Sequence, residues 1–172
     1  MELNDVYDEN RCLTGQVHQR GMPWEPGQFG MAVFVWVYDG RGHLLLTRRA
    51  KGKSFAGTWE NTGGAVKAGE NSRQAIAREL FEETGIQALP EEFELLETAR
   101  DRNMFYDHYC LHRRVRLRDI VLQPEETDDV MWASCGKIRW MIRVGKICKI
   151  IGQQYLHLEK QLRARNMPKI LG

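Results

Sequence analysis

An unbroken apolar run at residues 31–38 places the strongest constraint on how this chain folds. The run, Met-Ala-Val-Phe-Val-Trp-Val-Tyr, is rich in β-branched and aromatic side chains, and it predicts a central strand that is buried on both faces. Residues 39–42, Asp-Gly-Arg-Gly, supply turn chemistry, and residues 43–48 return as a second strand. The sequence therefore predicts a β-hairpin at the centre of a sheet.

The rest of the chain predicts further strands, one well-defined helix and a helical C-terminal part, all within a single domain over residues 1–172. Because Gly and Pro are frequent between residues 21 and 30, residues 1–30 are predicted to be an irregular lead-in. A helix is predicted over 72–84, since Gly85 is a good stop signal. Its apolar side is predicted to consist of Ile76, Ala77, Leu80 and Thr84. Further strands are predicted at 58–62, 93–98, 104–117 and 130–133.

Charge is distributed unevenly along the chain. The net charge of +2 does not indicate an electrostatic partner for the whole protein. Residues 136–172, however, contain nine basic residues and the single acid Glu159. One interpretation of this basic part is a packed helix with a solvated basic face. The other is a surface for RNA, which would make the chain a non-catalytic binding module.

Cysteine spacing and hydropathy indicate the compartment. The four cysteines are far apart and form no C-x-x-C pair, so we expect reduced thiols and no zinc knuckle. The N-terminus is polar and acidic, unlike a signal peptide, and no apolar stretch is long enough to span a bilayer. We therefore expect a cytoplasmic protein without a membrane partner.

Three glutamates crowd one side of the predicted helix. Residues three and four positions apart are neighbours on a helix, so Glu79, Glu82 and Glu83 project from one stripe of its surface. Like charges at these spacings destabilise a helix by roughly 0.2–0.5 kcal/mol per pair. One interpretation is an ordinary solvated face. The other is a site for a hard divalent cation, which takes oxygen ligands and bridges them to phosphates.

The spacing around these glutamates resembles the Nudix box. Segment 64–86 contains, in order, Gly64, five residues, Glu70, seven residues, Arg78-Glu79-Leu80, one residue, Glu82-Glu83, one residue and Gly85-Ile86. It matches every defined position of the pattern glycine-x5-glutamate-x7-arginine-glutamate-aliphatic-x-glutamate-glutamate-x-glycine-aliphatic. The resemblance implies an α+β fold, the Nudix α/β/α sandwich with a mixed β-sheet, and a hydrolase that cleaves diphosphate bonds.

The resemblance also implies a role for each matched residue. The implied ligands of Mg²⁺, or of Mn²⁺ in its place, are Gly63 through its carbonyl, Glu70, Glu79, Glu82 and Glu83. Arg78 would orient Glu79 within the catalytic set. The general base is left open between Glu79 and a carboxylate outside the box, Glu125 or Glu126. For these last two, an ordinary solvated loop is the alternative.

Candidate substrate contacts lie on both sides of the loop that precedes the box. Arg49 resembles a phosphate contact of mutator-type relatives, and a strand-end arginine in water is the alternative. Asn61 and Thr62 stand where many relatives have an aromatic residue and a proline, and Asn61 is retained as a candidate substrate contact. Four aromatic residues either stack on a nucleobase or belong to the core, namely Trp24, Trp36, Trp59 and Phe105.

A second resemblance competes with the first. Residues 5–10, His18 and residues 44–50 resemble isopentenyl-diphosphate isomerases, which share the Nudix fold but move a double bond. Those isomerases carry a catalytic cysteine and a metal-binding histidine where this chain has Gly63 and Ala65. Glycine cannot supply a thiol. The sequence therefore predicts an isomerase-like frame that carries hydrolase chemistry.

The prediction from sequence is a Mg²⁺-dependent pyrophosphohydrolase. Its expected substrate is a nucleoside di- or triphosphate, or a nucleoside diphosphate linked to another group. An isomerase and an RNA-binding module remain the alternatives.

Overall fold

The computed structural model describes residues 2–164. Within them, β1 (Leu3–Tyr7) and β2 (Leu13–Gln19) form an antiparallel two-stranded sheet. The prediction that residues 1–30 are irregular is therefore wrong for their first two thirds. The Gly and Pro residues behind that prediction all follow β2, so they mark the connection after this hairpin and not the hairpin itself.

A seven-stranded sheet and three α-helices make up most of the remaining described chain. The strands are β3 (Gly30–Tyr38), β4 (His43–Arg49), β5 (Trp59–Glu60), β6 (Thr62–Ala65), β7 (Glu94–Asp101), β8 (Met104–His112) and β9 (Thr127–Ser134). The helices are α1 (Ser72–Thr84), α2 (Cys135–Arg143) and α3 (Lys149–Ala164). The strand order is β5-β4-β3-β8-β7, with β6 also paired to β3 and β9 to β4.

The predicted fold class is confirmed: the chain is an α+β protein with a mixed sheet. Strand β3 carries the apolar run, and its Val33 and Trp36 are fully buried. The predicted hairpin is formed by β3 and β4, which pair antiparallel. None of the helices formed by residues 2–164 is long and apolar enough to cross a membrane.

Packing divides the chain into two compact units. Unit 1 contains the residues up to Val35 together with Gly63–Phe81 and Gln87–Cys110. Unit 2 contains Trp36–Thr62, Glu82–Ile86 and the residues from Leu111 onward. That all 172 residues form one domain stays a prediction.

The core of unit 2 accounts for the apolar residues of the C-terminal helices. Ile138 and Met141 of α2 are buried, and Tyr155 of α3 is fully buried with its ring 5.5 Å from that of Trp36. Leu158 and Leu162 complete the buried side of α3. The predicted packing of the helices in this part is therefore confirmed, and an RNA surface on their exposed basic side stays an alternative. Of its basic residues, Arg165, Lys169 and the side chain of Arg163 lie outside the described part of the chain.

Candidate active site

Helix α1 carries the acidic residues, and its first turn is fixed by a reciprocal cap. The backbone N–H of Gln74 donates to the side-chain oxygen of Asn71 at 3.0 Å, and the Asn71 N–H donates to the side-chain oxygen of Gln74 at 2.9 Å. This arrangement is a capping box, which satisfies two backbone N–H groups at the helix start. The helix therefore begins at Ser72, as predicted.

The other end of α1 is held by the loop before β9. The backbone carbonyl of Thr84 accepts from the Val121 N–H at 3.0 Å, and that of Glu83 accepts from the Thr127 hydroxyl at 3.3 Å. Last-turn carbonyls have no partner within a helix, so these bonds stabilise its end. Gly85 follows with a φ of 70°, the left-handed conformation that commonly ends helices.

The faces of α1 differ in burial. Ile76, Leu80 and Thr84 are fully buried, whereas Ala77, predicted to share their face, is half-buried. Of the glutamates, Glu82 is exposed and Glu83 is only 8% exposed. Burying a carboxylate is unfavourable unless charge or hydrogen bonds compensate, so Glu83 is not part of an ordinary solvated helix face.

Arg78 gathers two carboxylates in unit 1. Its Nε and Nη2 donate to the two carboxylate oxygens of Glu70 at 2.7 and 3.0 Å, and its Nη1 donates to Oε1 of Glu79 at 2.8 Å. Nη2 also donates to the carbonyl of Ala65 at 3.1 Å. Burial opposes the charge of the guanidinium, but its bonds to Glu70 and Glu79 outweigh this and raise the pKa of Arg78. The structure thus brings Arg78 and Glu79 together, and the role of Arg78 in orienting Glu79 for catalysis stays a prediction.

Gly64 lies directly against the carboxylate of Glu79. A Cβ atom built on Gly64 would lie 2.2 Å from the Glu79 carboxyl carbon, and any other residue would displace that group. The preceding residue, Gly63, is equally confined, since its Cβ would lie 2.6 Å from the carbonyl oxygen of Val33 and 2.3 Å from the ring of Phe34. The two glycines allow the backbone to approach the carboxylate and the neighbouring strand closely.

Arg49 is already engaged by an acid that the sequence did not indicate. Its Nη1 donates to both oxygens of Glu60 at 2.7 Å, and its Nε donates to the Ser54 carbonyl at 2.5 Å. Thr47, two residues before Arg49, pairs with Glu60 across β4 and β5. Such a pairing register is not visible in the sequence. A phosphate at Arg49 would therefore compete with Glu60.

The pH dependence of stability provides a test of this half-buried pair. Burial raises the pKa of Glu60 above its ordinary value of 4.5, even though the bond to Arg49 acts in the opposite direction. Because the pKa of Glu60 is raised in the folded state, its contribution to stability is complete below its unfolded-state pKa. That contribution is lost as pH rises through its folded-state pKa. Relative to Glu60→Gln, the wild type is expected to lose stability between acidic and neutral pH in urea unfolding. The unfolding free energy of the exposed control Glu25→Gln should vary with pH as that of the wild type does. If the unfolding free energies of Glu60→Gln and the wild type vary with pH in parallel, the pKa of Glu60 is not raised.

The two remaining candidates from the sequence also lie in unit 2. Asn61 is 2% exposed, and neither atom of its side-chain amide has a hydrogen-bond partner within the part of the chain that is described. Glu126 forms an ion pair with Lys53, and its carbonyl accepts from the Ala50 N–H at 2.9 Å. The hydrogen-bonding capacity of the Asn61 amide is thus unused among the described residues, whereas Glu126 must leave Lys53 before it can act as a base.

The comparisons with known proteins decide the family. A family model for the NUDIX domain matches residues 28–147, well over half of the chain. The chain belongs to the Nudix family. A solved structure from Deinococcus radiodurans resembles this Nudix protein with a TM-score of 0.73 at 19% identity, covering 92% of this chain and 98% of that one. This likeness shows the fold alone.

Relatives of this Nudix protein fall into two reaction classes. An uncharacterised Nudix hydrolase of Listeria monocytogenes is 32% identical over 136 residues, covering 78% of this chain and 80% of the relative. An isopentenyl-diphosphate Δ-isomerase of Pectobacterium atrosepticum is 32% identical over 145 residues, covering 80% of both. Overall sequence similarity therefore does not distinguish hydrolysis from isomerisation. The individual residues of the site have to distinguish them.

The donor set of α1 suits a hard cation. Glu79, Glu82 and Glu83 offer carboxylate oxygens, which Mg²⁺ and Mn²⁺ prefer. Among residues 2–164, no three His, Cys, Asp or Glu side chains already form a group that could hold a metal ion. Magnesium keeps several waters and takes one or two protein carboxylates plus substrate phosphates, so it does not need such a group. The carboxylate of Glu79 lies in the space that a Cβ on Gly64 would fill, so it is held beside the backbone of the glycine pair. The residues present therefore fit this ion.

The four aromatic candidates are mostly core residues. Trp36, Trp59 and Phe105 are at most 7% exposed, and Trp24 stacks on His18 with 3.7 Å between the ring centroids. The four cysteines are free thiols, as predicted. Burial raises the pKa of the Cys110 thiol to about 12, so this cysteine is not a reactive thiolate.

Proposed function

We propose that this Nudix protein is a magnesium-dependent pyrophosphohydrolase. Its substrate is a nucleoside di- or triphosphate, or a nucleoside diphosphate joined to another group. The observation that carries this proposal is the arrangement of Arg78, Glu70 and Glu79 against Gly64, which holds a carboxylate in a fixed orientation. A fixed carboxylate on an acidic helix is suited to binding a cation and a diphosphate together.

The proposed reaction is hydrolysis at phosphorus. Water adds to one phosphorus atom, the bridging P–O bond breaks, and a carboxylate accepts the proton of the water. The chemistry that Mg²⁺ would supply there is Lewis acidity towards the diphosphate and a lower pKa of bound water. Glu79, Glu125 or Glu126 accepts the proton, and Arg78 holds Glu79 in place. Glu79, Glu82, Glu83 and the Gly63 carbonyl would hold the ion, with Glu70 supporting it through Arg78.

Isomerisation is the second candidate, and the identity to the Pectobacterium isomerase favours it. Against it stands Gly63, which occupies the position implied for the isomerase cysteine. A cysteine side chain there would overlap the carbonyl of Val33 and the ring of Phe34. The hydrolase proposal therefore has the better support from the site.

Product release from a substrate panel tests the proposal. The wild-type protein is incubated with nucleoside di- and triphosphates, sugar nucleotides, dinucleotides and isopentenyl diphosphate, each with Mg²⁺, with Mn²⁺ or with EDTA. We expect a phosphate-containing product from at least one nucleotide, with turnover lost in EDTA and restored by excess Mg²⁺. Metal-dependent isomerisation of isopentenyl diphosphate without hydrolysis of any nucleotide would overturn the proposal.

A further inference from the structure

The hairpin of β1 and β2 has no role in the site described so far. Strand β1 contains the start of segment 5–10, which resembles isopentenyl-diphosphate isomerases, yet the proposed hydrolase site uses none of these residues. In the structure, β1 is hydrogen-bonded to the loop that joins β6 to α1. That loop carries Glu70, and both the hairpin and the loop belong to unit 1. The hairpin is therefore placed to act on the candidate site.

The loop bends sharply just before Glu70. The Glu70 N–H donates to the Lys67 carbonyl at 3.1 Å, which closes a four-residue β-turn. Gly69, the third residue of this turn, has a φ of 84°, a conformation that glycine adopts without strain. The Lys67 N–H donates to the carboxylate of Glu70 at 3.1 Å. The conformation of the turn therefore determines where the Glu70 carboxylate lies.

Strand β1 binds the two central N–H groups of this turn. The hydrogen bond that closes a β-turn uses the N–H of its last residue, so the central N–H groups need partners from elsewhere. The Ala68 N–H donates to the Leu3 carbonyl at 2.8 Å, and the Gly69 N–H donates to Oδ2 of Asp5, also at 2.8 Å. A bond to a carboxylate is stronger than one between neutral groups. Asp5 thus holds the turn through its side chain.

The hairpin is itself anchored within unit 1. The backbones of Tyr7 and Phe29 exchange two hydrogen bonds, at 2.8 and 2.9 Å. Arg11, in the connection between β1 and β2, forms an ion pair with Asp107 of β8, whose side chain is 1% exposed. Arg11 also donates to the hydroxyl of Thr98 on β7 at 3.1 Å. Because it is fastened at these points, the hairpin provides a rigid support for the turn.

Hydrogen bonds continue from the turn to the carboxylate beside Gly64. Glu70 accepts from Nε and Nη2 of Arg78 at 2.7 and 3.0 Å, and Nη1 of Arg78 donates to Glu79 at 2.8 Å. Groups that hold a metal ligand in place matter almost as much as the ligand, and their loss typically lowers metal affinity or activity by about 10–100-fold. Contacts between neighbouring groups therefore connect β1 to Glu79.

We propose that Asp5 is a positioning residue of the candidate site. By holding the Gly69 N–H, Asp5 keeps Glu70 where its carboxylate aligns Arg78 and Glu79 for a divalent cation. This inference rests on the proposed function, because it concerns how that cation site is held. It assigns a role to the N-terminal hairpin, which lies outside the motif of residues 64–86.

Mn²⁺ binding in the absence of substrate tests this role. Affinity is measured by calorimetry on the wild type and on the variants Asp5→Ala and Asp5→Asn. We expect Asp5→Ala to bind Mn²⁺ about tenfold more weakly than the wild type. Asparagine retains an oxygen that can accept from the Gly69 N–H, so Asp5→Asn should bind Mn²⁺ nearly as tightly as the wild type. An equal loss in both variants would mean that the charge of Asp5 matters and its contact does not, and would overturn the inference.

The matched control is Asp8→Ala. Asp8 lies in the same hairpin and accepts the backbone N–H groups of Asn10 and Cys12 at 2.9 and 2.8 Å, so both of these partners are within the hairpin. Its replacement should lower the thermal unfolding midpoint but leave Mn²⁺ affinity unchanged. If Asp8→Ala loses as much affinity as Asp5→Ala, the loss reflects hairpin stability, and Asp5 has no positioning role.

Hydrogen exchange in EDTA follows the turn itself without metal or turnover. We expect backbone amides in segment 66–70 to exchange faster in Asp5→Ala than in the wild type, and to exchange at the wild-type rate in Asp8→Ala. Unchanged exchange of this segment in Asp5→Ala would overturn the inference. Where turnover is found, the Mg²⁺ concentration that gives half-maximal rate should rise about tenfold in Asp5→Ala.

The outcomes separate this inference from the proposed function. If a nucleotide is hydrolysed with Mg²⁺ but Asp5→Ala keeps the wild-type metal affinity, the inference fails and the hydrolase proposal stands. If Asp5→Ala loses Mn²⁺ affinity but no nucleotide is hydrolysed, the proposed function fails and the positioning role stands. A wild type that neither binds Mn²⁺ nor hydrolyses any nucleotide would overturn both.

Discussion

Replacing Glu83 by glutamine is expected to lower kcat by about 10²–10³-fold on the substrate that the panel identifies. Glu83 lies in the last turn of α1 and is only 8% exposed, so its carboxylate is held in an environment of low dielectric. Glutamine has nearly the same shape but carries no charge, and it is a poor ligand for a hard cation. The loss should therefore appear in turnover and in the Mg²⁺ concentration that gives half-maximal rate.

The control for this variant is Glu91→Gln. Glu91 is exposed and lies in the short 3-10 turn Pro90–Glu92, so its replacement should leave kcat unchanged. Thermal unfolding of both variants shows whether a loss of rate reflects a loss of fold. A Glu83→Gln protein that folds and keeps the wild-type rate and Mg²⁺ requirement would remove Glu83 from the site.

The elements that depend on local patterns could be predicted from the sequence. The apolar run specified β3, the Asp-Gly-Arg-Gly segment specified the turn after it, and Gly85 specified the end of α1, because a stop signal acts within one helical turn. The contact of Arg78 with Glu79 also followed from the motif, whereas the two bonds of Arg78 to Glu70, which the motif implied as a metal ligand, did not.

Features that depend on contacts between distant segments could not be predicted. Glu60 is the partner of Arg49 because β4 and β5 pair in one particular register, and Lys53 meets Glu126 across a long stretch of chain. The hairpin of β1 and β2 was missed because neither strand has an apolar run, and its residues alternate in burial only weakly.

The choice between hydrolase and isomerase can be tested on the glycine pair. Gly63→Cys restores the residue type implied for isomerases, but its Cβ would lie 2.6 Å from the Val33 carbonyl oxygen, a backbone atom that cannot move by itself. We expect the variant to lose about 1–3 kcal/mol of unfolding free energy or more, and to gain no isomerase activity. Chemical denaturation measures the first, and conversion of isopentenyl diphosphate measures the second.

Two further glycine variants distinguish a side chain that overlaps the backbone of Val33 from one that displaces the carboxylate of Glu79. Gly52→Cys is the matched control, because a Cβ at Gly52 meets nothing within 4 Å, and its stability should stay near that of the wild type. Gly64→Ala places its Cβ against the flexible end of Glu79, so it should unfold like the wild type but lose turnover. If Gly63→Cys is instead as stable as Gly52→Cys and isomerises isopentenyl diphosphate, the frame accepts the isomerase site. In that case the overlap with the Val33 carbonyl oxygen does not exclude isomerase chemistry.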